Sequence, residues 1–495
     1  MEQVMTLFSE GTKALLWKRI LFILSAGILT VCSPHSVTGP REEPPLPRER
    51  ILKQWQAKAK ETREAQPGPL TVERAIEDAL AASPELEQIR QRLSAAAEQV
   101  RQADSTFYPR LVVSEDYNIT NNPVFALMDI INQRRFQPNI DFNNPGTQQN
   151  FGTGIRGEWS LFEGGRNWYD RKAALAQQRS VGADLQAARN QMVAKVTEVY
   201  YQWLQALAFI GVAEKALESA QTDERLGEAR VRTETALPSE VLRLRARRAE
   251  AHGNLVTAQT NARKLQAGLE RLMVRPIPPG EVPDPGISTV TEQVVDLHTD
   301  SGQYVEVALD KRPEMAAVRS LIQAARERVR SSQGGLLPRL GTNVQYSLDS
   351  RDLGTFADSW FVGVQATWPL FEGGLSISRI QEARSRLKEI EARGEQIALD
   401  IALEVSQATL AVREAAEKIQ VAEERKKWAE KALGEVRQIY SKQAATVDSL
   451  LQAEVAWNQA AVSYTAALFE GRIAQAMLRK ALGDFADGIA VTSDQ

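Results

Sequence analysis

The chain of 495 residues is poor in the side chains that build metal and redox sites. It contains one cysteine and three histidines, so no disulfide can form within the chain and no Cys/His cluster is available for zinc. Its net charge of −3 is far from the basic surface that nucleic-acid-binding proteins present. No nucleophile–base pair or phosphate-binding loop can be recognised. The sequence therefore predicts neither an enzyme nor a cofactor.

Long apolar runs are equally scarce. The run from Ile20 to Val31 is mostly apolar and follows the basic residues Lys13, Lys18 and Arg19. It is too short to span a bilayer but fits the apolar part of a signal peptide, which we predict over residues 1–31. No later stretch reaches the roughly 18 uninterrupted apolar residues of a membrane-spanning helix. Any crossing of a membrane by the mature chain would therefore be made by β-strands.

The single cysteine directly follows this apolar run. Leu29-Thr30-Val31-Cys32 is similar to a bacterial lipobox, in which the cysteine is acylated, although Val31 is larger than the residue usual at that place. The alternative is an ordinary signal peptide followed by an incidental cysteine. Residues 33–50 contain five prolines and predict an extended tether, which suits a lipid-anchored N-terminus.

Two nearly identical stretches show that the chain contains a repeat. WSLFEGGR at 159–166 and WPLFEGGL at 368–375 lie 209 positions apart, and upstream of them residues 83–111 match 312–340 at an offset of 229. The sequence is therefore two copies of one unit, and the first copy holds 20 extra residues.

The extra residues fall in a stretch that is rich in asparagine. Asn121 to Asn150 contains two Asn-Asn-Pro sequences and little regular pattern. We predict that it forms a loop, larger than its counterpart at Ser350 to Asp358, which would be extracellular if the neighbouring strands cross a membrane; the alternative is a register error that hides extra strand.

Two stretches in each copy alternate between apolar and polar residues and predict a β-hairpin. One set of alternating positions is mostly apolar, but it also contains Glu115, which fits lipid badly. A water-soluble hairpin packed on a core would show a similar pattern. The predicted strands are 110–120 and 150–161 in the first copy, and 339–349 and 359–370 in the second.

Helical patterns surround both hairpins. A helix precedes each hairpin, a proline-free stretch long enough for a helix of about 100 Å follows it, and a short turn leads into a returning helix. We expect Ser239 and Asp448 to cap the two returning helices. The predicted helices are 71–105, 166–234 and 239–274 in the first copy, and 306–333, 375–442 and 448–483 in the second.

The long helices carry a coiled-coil period. Apolar residues recur in steps of four and three, and eight of the nine matching positions in the second copy are also apolar, which predicts a sustained heptad seam. The seam residues are Met192, Val196, Val199, Trp203, Ala206, Ile210, Ala213, Leu217 and Ala220, matched by Ile401, Val405, Ala408, Val412, Ala415, Ile419, Ala422, Lys426 and Ala429.

Four strands cannot close into a membrane barrel, because known single-chain barrels begin at eight. Open strand edges in lipid would leave backbone groups without hydrogen-bond partners. If the strands lie in a membrane, several chains must therefore pool them. Two chains would supply eight strands, which form a barrel whose interior is mostly filled by side chains. Three chains would supply twelve strands, enough for a passage.

The paired FEGG motifs and the repeated order of helix, hairpin, long helix, turn and helix resemble the TolC-like outer-membrane efflux proteins over about residues 70–485. Cys32 and the Pro-rich tether resemble the lipoprotein branch of that family, the outer-membrane factors of RND efflux. The resemblance implies a mainly α fold with a small β part. Long coiled helical hairpins would form an α-barrel, and four strands per chain would contribute to a shared trimeric transmembrane β-barrel, with an internal two-fold duplication.

The same resemblance implies a function. The protein would be a homotrimer in the bacterial outer membrane with a large periplasmic part. It would be the outer-membrane channel of a tripartite efflux or type I secretion system, and would receive substrates from a periplasmic adaptor protein and an inner-membrane pump. The cargo is not specified by the sequence. The alternative is a periplasmic coiled-coil scaffold without a channel, which would explain the helices but not the hairpins.

Individual residues take roles within this scheme. Trp159 and Trp368 would end a strand of each hairpin at the inner membrane interface, and Gly164, Gly165, Gly373 and Gly374 would let each strand turn into a helix. Asp448 would form a ring of three carboxylates at the pore constriction, which would favour cations. A docking surface for an acidic adaptor tip, or a plain solvated helix face, would be formed by Arg243, Arg245, Arg247 and Arg248.

The chain is thus divided into a signal peptide, an anchor with its tether, two repeats, a linker between them and a tail. The predicted boundaries are 1–31, 32–70, 71–275 for the first repeat, 276–305 for the linker, 306–484 for the second repeat and 485–495.

Overall fold

The computed structural model describes residues 69–278, 281, 283–284 and 301–483, together with 53, 56 and 57. The predicted signal peptide, Cys32 and the predicted tail at 485–495 lie outside the described residues, as do most of the tether and much of the linker. Every element named below belongs to the unit that begins at Pro67.

Two long helical hairpins make up most of the described chain. Each joins a helix of 67 residues to a returning helix of 36 residues, so the longer helix of each pair extends about 100 Å. None of the helices within these described ranges is long and apolar enough to cross a membrane. The helices are α1 Val72–Ala82, α2 Pro84–Ser105, α3 Pro123–Asn132, α4 Arg166–Arg232, α5 Pro238–Met273, α6 Ser301–Lys311, α7 Pro313–Gly334, α8 Leu375–Ser441 and α9 Val447–Leu482.

The four helices of the hairpins are confirmed to within about two residues at each end, but the helix expected before each β-hairpin is two helices. The breaks fall at Ser83 (φ −64°, ψ 119°) and Arg312 (φ −65°, ψ 129°). Each of these residues precedes a proline, whose ring clashes with a helical conformation of the residue before it. Pro84 and Pro313 then start the next helix, where a missing N–H costs nothing. The prediction of single helices over 71–105 and 306–333 was therefore wrong.

The heptad seam is confirmed in both long helices. Val196 and Val405 are fully buried at matching positions. Around Val196 the core includes Tyr200 and Leu269, and around Val405 it includes Leu478. The seam thus packs each long helix against its returning partner and against the shorter helices beside it.

The strands form one antiparallel sheet with the order β1-β2-β3-β4. The second strand continues past the predicted end, with an irregularity in its pairing between Ser160 and Phe162. Trp159 therefore does not end its strand, and this part of the prediction was wrong. The strands are β1 Arg110–Thr120, β2 Gln148–Glu163, β3 Arg339–Ser350 and β4 Ala357–Thr367.

The long loop of the first hairpin contains a helix that we had not expected. The Asn122 side chain accepts hydrogen bonds from the backbone N–H groups of Val124 (3.1 Å) and Phe125 (3.5 Å) and so caps α3. Pro123 occupies the first helical position. The stretch between the first two strands is thus a loop, as predicted, but it contains a helix, because Asn-Pro acts here as a helix start and not only as a turn.

The caps expected at the two helical tips are also wrong. α5 starts at Pro238 after Leu237, so Ser239 lies inside the helix. α9 is capped by Thr446, whose Oγ1 accepts a hydrogen bond from the Ser449 N–H at 3.3 Å. Asp448 instead lies in the first turn of α9, where a negative charge is favoured by the helix dipole.

Candidate functional site

The sheet has one apolar and one mostly polar face. The strand registers place the apolar positions of all four strands on the same side, and most of their side chains are exposed in the single chain, whereas Leu348 at the loop end is buried. Glu115, the charged residue expected to fit lipid badly, lies on this face. One of its carboxylate oxygens accepts a hydrogen bond from the Thr153 hydroxyl at 2.7 Å. The exposed apolar side chains are Leu111, Val113, Tyr117, Ile155, Trp159, Val344, Tyr346, Trp360, Val362 and Val364.

The opposite face carries polar and charged side chains, interrupted by Val112 and Phe361. A sheet of this kind separates an apolar from an aqueous environment. The polar residues include Ser114, Asp116, Asn150, Arg156, Glu158, Asn343, Gln345, Ser347, Asp349 and Gln365.

Both outer strands have a free edge. In the described part of the chain, no strand pairs with the outer side of β1 or of β4. These edges present unpaired backbone N–H and C=O groups, which makes each a template for pairing with another strand.

Glycines join β2 to α4 and follow β4 before α8. Gly164 and Gly165 have φ of 66° and 80°, and Gly373 and Gly374 have φ of 60° and 87°. L-residues rarely adopt this conformation, whereas glycine does so without strain. A Cβ atom on Gly164 would also lie 2.1 Å from the Gly334 carbonyl oxygen. The first junction therefore requires glycine for space as well as for conformation.

The two tryptophans of the repeated motif make the same contact in each copy. The Trp159 indole N–H donates to the Phe107 carbonyl at 3.0 Å, and the Trp368 indole N–H donates to the Leu336 carbonyl at 3.1 Å. Phe107 and Leu336 are themselves matching positions of the two copies. Each tryptophan therefore ties a strand to the link between the preceding helix and its hairpin.

The tips of the two helical hairpins pack together. Their core is formed by Leu244 of α5, Leu433 and Tyr440 of α8, and Val447 and Leu450 of α9. The Arg230 guanidinium of α4 lies 4.3 Å from the centre of the Tyr440 ring, close enough for a cation–π contact.

Behind this core, a buried charge network joins all four long helices. Asp223 of α4 and Glu454 of α9 are 0% and 3% exposed. Arg437 of α8 binds Asp223 through two hydrogen bonds of 2.9 Å and lies 3.6 Å from Glu454. The Ser219 hydroxyl donates to Glu454 at 2.9 Å and also contacts Arg437. Arg247 of α5 approaches the other Glu454 oxygen at 3.7 Å.

Burial raises the pKa of Glu454 to about 8, and hydrogen bonding to and repulsion by the Asp223 carboxylate add to the rise. Within the described chain its Oε2 atom has no hydrogen-bond partner. Glu454 is therefore a group whose charge changes near physiological pH, at the contact between the two hairpins.

Asp448 forms an ion pair with Arg243 at 2.6 Å, and both side chains are exposed. The pair links the returning helices α5 and α9 close to their first turns. Asp448 is thus neither the cap of its helix nor an isolated carboxylate in the single chain.

The four arginines of the first returning helix do not form one surface. Arg245 and Arg248 are half exposed and both bind Glu224, at 3.2 Å and 3.0 Å. Arg247 is only 10% exposed on its side chain and faces Glu454. The grouping of all four in one exposed set was therefore wrong for Arg247.

Asp223, Arg437 and Glu454 were missed by the sequence analysis. The steps of four and three continue past Ala220 to Glu224, which is buried and binds Arg245 and Arg248, but they reach none of these three residues. In the described residues no group of three or more His, Cys, Asp or Glu side chains could hold a metal ion.

Long helical hairpins that carry a small sheet with one apolar face and two free edges define a mainly α protein with a small β part, of the membrane-channel type. The sequence model described as outer membrane efflux protein matches residues 75–274 and 304–484. These ranges cover well over half of the chain, and the protein therefore belongs to the outer membrane efflux protein family.

Individual relatives are distant. The chain is 24% identical over 298 residues to the outer membrane efflux protein BepC of Brucella suis biovar 1 (strain 1330), covering 59% of this chain and 58% of BepC. It is 25% identical over 204 residues to the alkaline protease secretion protein AprF of Pseudomonas aeruginosa, covering 40% of this chain and 42% of AprF. The matched parts thus span about half the length of these relatives.

The fold is shared with a solved channel. The crystal structure of the Campylobacter jejuni CmeC outer membrane channel matches with a TM-score of 0.72 at 16% identity, covering 83% of this chain and 85% of CmeC. The mainly α fold with a small β part is therefore confirmed.

Proposed function

We propose that the protein is the outer-membrane channel of a tripartite efflux or type I secretion system. It conducts substrates from a periplasmic adaptor protein and an inner-membrane pump to the exterior. The observation that carries this proposal is the four-stranded sheet, which has an exposed apolar face and two free edges. A single chain would leave both edges without partners in lipid, where each unpaired backbone group costs several kcal/mol.

Three copies of the chain provide hydrogen-bond partners for the backbone groups of both free edges. The outer edge of β1 in one copy pairs with the outer edge of β4 in the next, and twelve strands close a barrel. The apolar face then contacts lipid and the polar face lines the lumen, as in other transmembrane barrels. Twelve strands enclose a passage, whereas eight would be filled by side chains.

The helical hairpins continue this passage into the periplasm. Junctions at Gly164–Gly165 and Gly373–Gly374 turn each strand towards a helix, and the hairpin tips narrow the far end. The loop at 121–150 then lies outside the cell, where protease added to intact cells should cut it.

The N-terminus supplies export and anchoring. Residues 1–31 direct the chain to the periplasm, and acylation of Cys32 adds a lipid anchor to the barrel. Intact-mass measurement of the purified protein tests this, because a lipidated chain begins at Cys32 and carries the mass of its acyl groups.

Two sites at the tip serve conduction and assembly. Asp448 from three copies forms the charged ring of the constriction, with Arg243 as its counter-ion. The side chains of Arg243, Arg245 and Arg248 are each at least half exposed, so an acidic adaptor surface can reach them.

The second candidate is a periplasmic scaffold, favoured only by the sustained coiled-coil seam. Fractionation separates the two: a scaffold is released from membranes by alkaline wash, and a barrel is retained. The channel itself is tested by reconstitution into planar lipid bilayers. Discrete current steps support it, and retention without any steps in wild type or tip variants argues against it.

A further inference from the structure

The helix in the loop of the first hairpin exposes an apolar face. Val124, Phe125, Met128 and Ile131 of α3 are 68%, 64%, 51% and 45% exposed. They recur at helical spacing and so lie on one side. Exposed apolar patches rimmed by polar residues mark contact sites, and this patch has no partner in the described part of the chain.

The opposite side of α3 is packed onto the sheet. Ala126 and Ile130 are buried. Gln133, directly after the helix, donates to the Gln149 carbonyl at 2.8 Å and to the Asn150 side chain at 2.9 Å. These bonds fix the end of α3 on β2.

Two of the side chains that follow α3, Gln133 and Arg135, bind on the polar face. Asn150 shares its alternation with Arg156, and its amide donates to Asp349 of β3 at 2.6 Å. Arg135 likewise reaches Gln148, on the same face, at 3.5 Å. The side of the sheet that would contact lipid is therefore not the side on which Gln133 and Arg135 bind.

The segment is also tied across the sheet. Arg134 donates to the Asp358 carbonyl of β4 at 2.8 Å and pairs with the Asp358 carboxylate, on the apolar side, at 3.3 Å, so the segment crosses the loop end of the sheet. α3 is thus held between β2 and β4 at the loop end of the strands, and the equivalent turn of the second hairpin, at 351–356, contains no helix. Each chain contributes one such helix.

We propose that the apolar faces of α3 from three copies of this chain meet across the lumen and form a hydrophobic constriction at the exit of the channel. This rests on the proposed function, since the polar face becomes the lumen only when the strands are pooled. The occupant of the apolar face is α3 of a neighbouring copy, because a helix held on the luminal side of a three-fold barrel faces its own symmetry mates.

An apolar ring at the exit has a defined effect on transport. Hydrophobic constrictions resist wetting and so block hydrated ions, while apolar or amphiphilic molecules displace water from them. The exit therefore selects for amphiphilic cargo, independently of charge selection at the periplasmic tip.

Cross-linking tests the arrangement directly. The full-length chain has one cysteine, Cys32, so Met128→Cys adds a single new thiol. A short bis-maleimide reagent applied to purified outer membranes should join pairs of Met128→Cys chains into dimers on denaturing gels, because each chain offers one new thiol. Trp360→Cys, on the apolar face near the same end of the sheet, is the matched control and should remain monomeric, as should the wild-type chain.

The outcomes separate this inference from the proposed function. If Met128→Cys runs as a trimer on native gels but does not cross-link, the proposed constriction is contradicted and the proposed trimeric channel is not. If it cross-links no better than Trp360→Cys, lipid or an external partner covers α3 instead, and the inference is again overturned. If no trimer forms in the wild type, both proposals fail.

Conductance provides a second readout. The double variant Phe125→Ala/Met128→Ala should raise single-channel conductance severalfold, because the ring is widened and less apolar. Phe142→Ala, in the same loop but outside α3, is the control and should leave it unchanged. Unchanged conductance in the double variant would contradict the constriction, provided that a tip-opening variant conducts in the same bilayers.

Discussion

Arg437 and Asp223 form a two-bonded ion pair that joins the second helical hairpin to the first, with both N···O distances at 2.9 Å. Asp223 is fully buried. Truncation of one partner of such a pair leaves a buried charge uncompensated, at a cost of about 3–5 kcal/mol. The pair is therefore a strong link between the hairpins near their tips.

Breaking this link should loosen the tip. Arg437→Ala and Asp223→Asn should each lower the unfolding temperature of the periplasmic helices and raise channel conductance. The double variant should lower the unfolding temperature by less than the sum of the two single variants, since neither charge is then left without its partner. Differential scanning calorimetry and bilayer recording measure the two effects. Strict additivity would show that the residues do not act as a pair.

Glu454 should make the stability of the tip depend on pH. Its pKa in the fold is raised to about 8 from 4.5, so the folded state holds a proton that the unfolded chain releases. Stability is then greatest below about pH 4.5 and is lost as the pH rises through about 8. The carboxyl is faced by Asp223 and Ser219 of α4, Arg437 of α8 and Arg247 of α5.

Hydrogen exchange of the tip helices, followed between pH 5 and pH 9 and corrected for the intrinsic exchange rate, measures this effect. Glu454→Gln keeps the neutral form and should remove the loss of protection at high pH. Glu414→Gln, an exposed residue paired with Lys418, is the matched control and should behave like the wild type. A pH dependence that survives in Glu454→Gln would assign it to another group.

Gly164 and Gly373, at equivalent junctions of the two repeats, should differ in how well they tolerate replacement by alanine. Gly164→Ala and Gly373→Ala both place an L-residue at positive φ, which costs roughly 1–2 kcal/mol. Only at Gly164 does the added Cβ meet backbone, 2.1 Å from the Gly334 oxygen, whereas nothing lies within 4 Å at Gly373. Gly164→Ala should reduce the yield of assembled protein far more. Equal yields on native gels would show that the Gly334 contact does not matter.

Arg243 should mask the charge of Asp448. In the wild type the ion pair of 2.6 Å leaves little net charge at the proposed ring. Arg243→Ala should therefore increase cation preference and block by multivalent cations, and Arg243→Ala/Asp448→Asn should abolish both. Reversal potentials in salt gradients measure the preference. If Asp448→Asn has no effect even when Arg243 is absent, Asp448 does not line the constriction.

The fold was largely predictable because its elements are long and periodic. A seam of nine positions, repeated 209 residues later, predicts the long helices, and the alternation of mostly apolar with mostly polar positions predicts the strands. The failures lie where local chemistry overrides a pattern. Ser83 breaks a helix because of the next residue, and Asn122 starts one in a stretch that reads as loop.

The charge network was harder to predict for a physical reason. Asp223, Arg437 and Glu454 are far apart in sequence and meet only when two hairpins pack side by side. A single-chain periodicity identifies which residues are buried but not which charges are paired. The expectation that Arg247 is exposed failed for the same reason, since its partner Glu454 belongs to the second repeat.

The central claim is that three chains pool their strands into one barrel. Electron cryomicroscopy of the particle extracted from alkali-washed outer membranes measures this most directly. We expect a three-fold particle with a twelve-stranded barrel, the polar sheet face inside, and a helical tube on one side. A particle of one or two chains, or a sheet whose edges do not pair between chains, would contradict it.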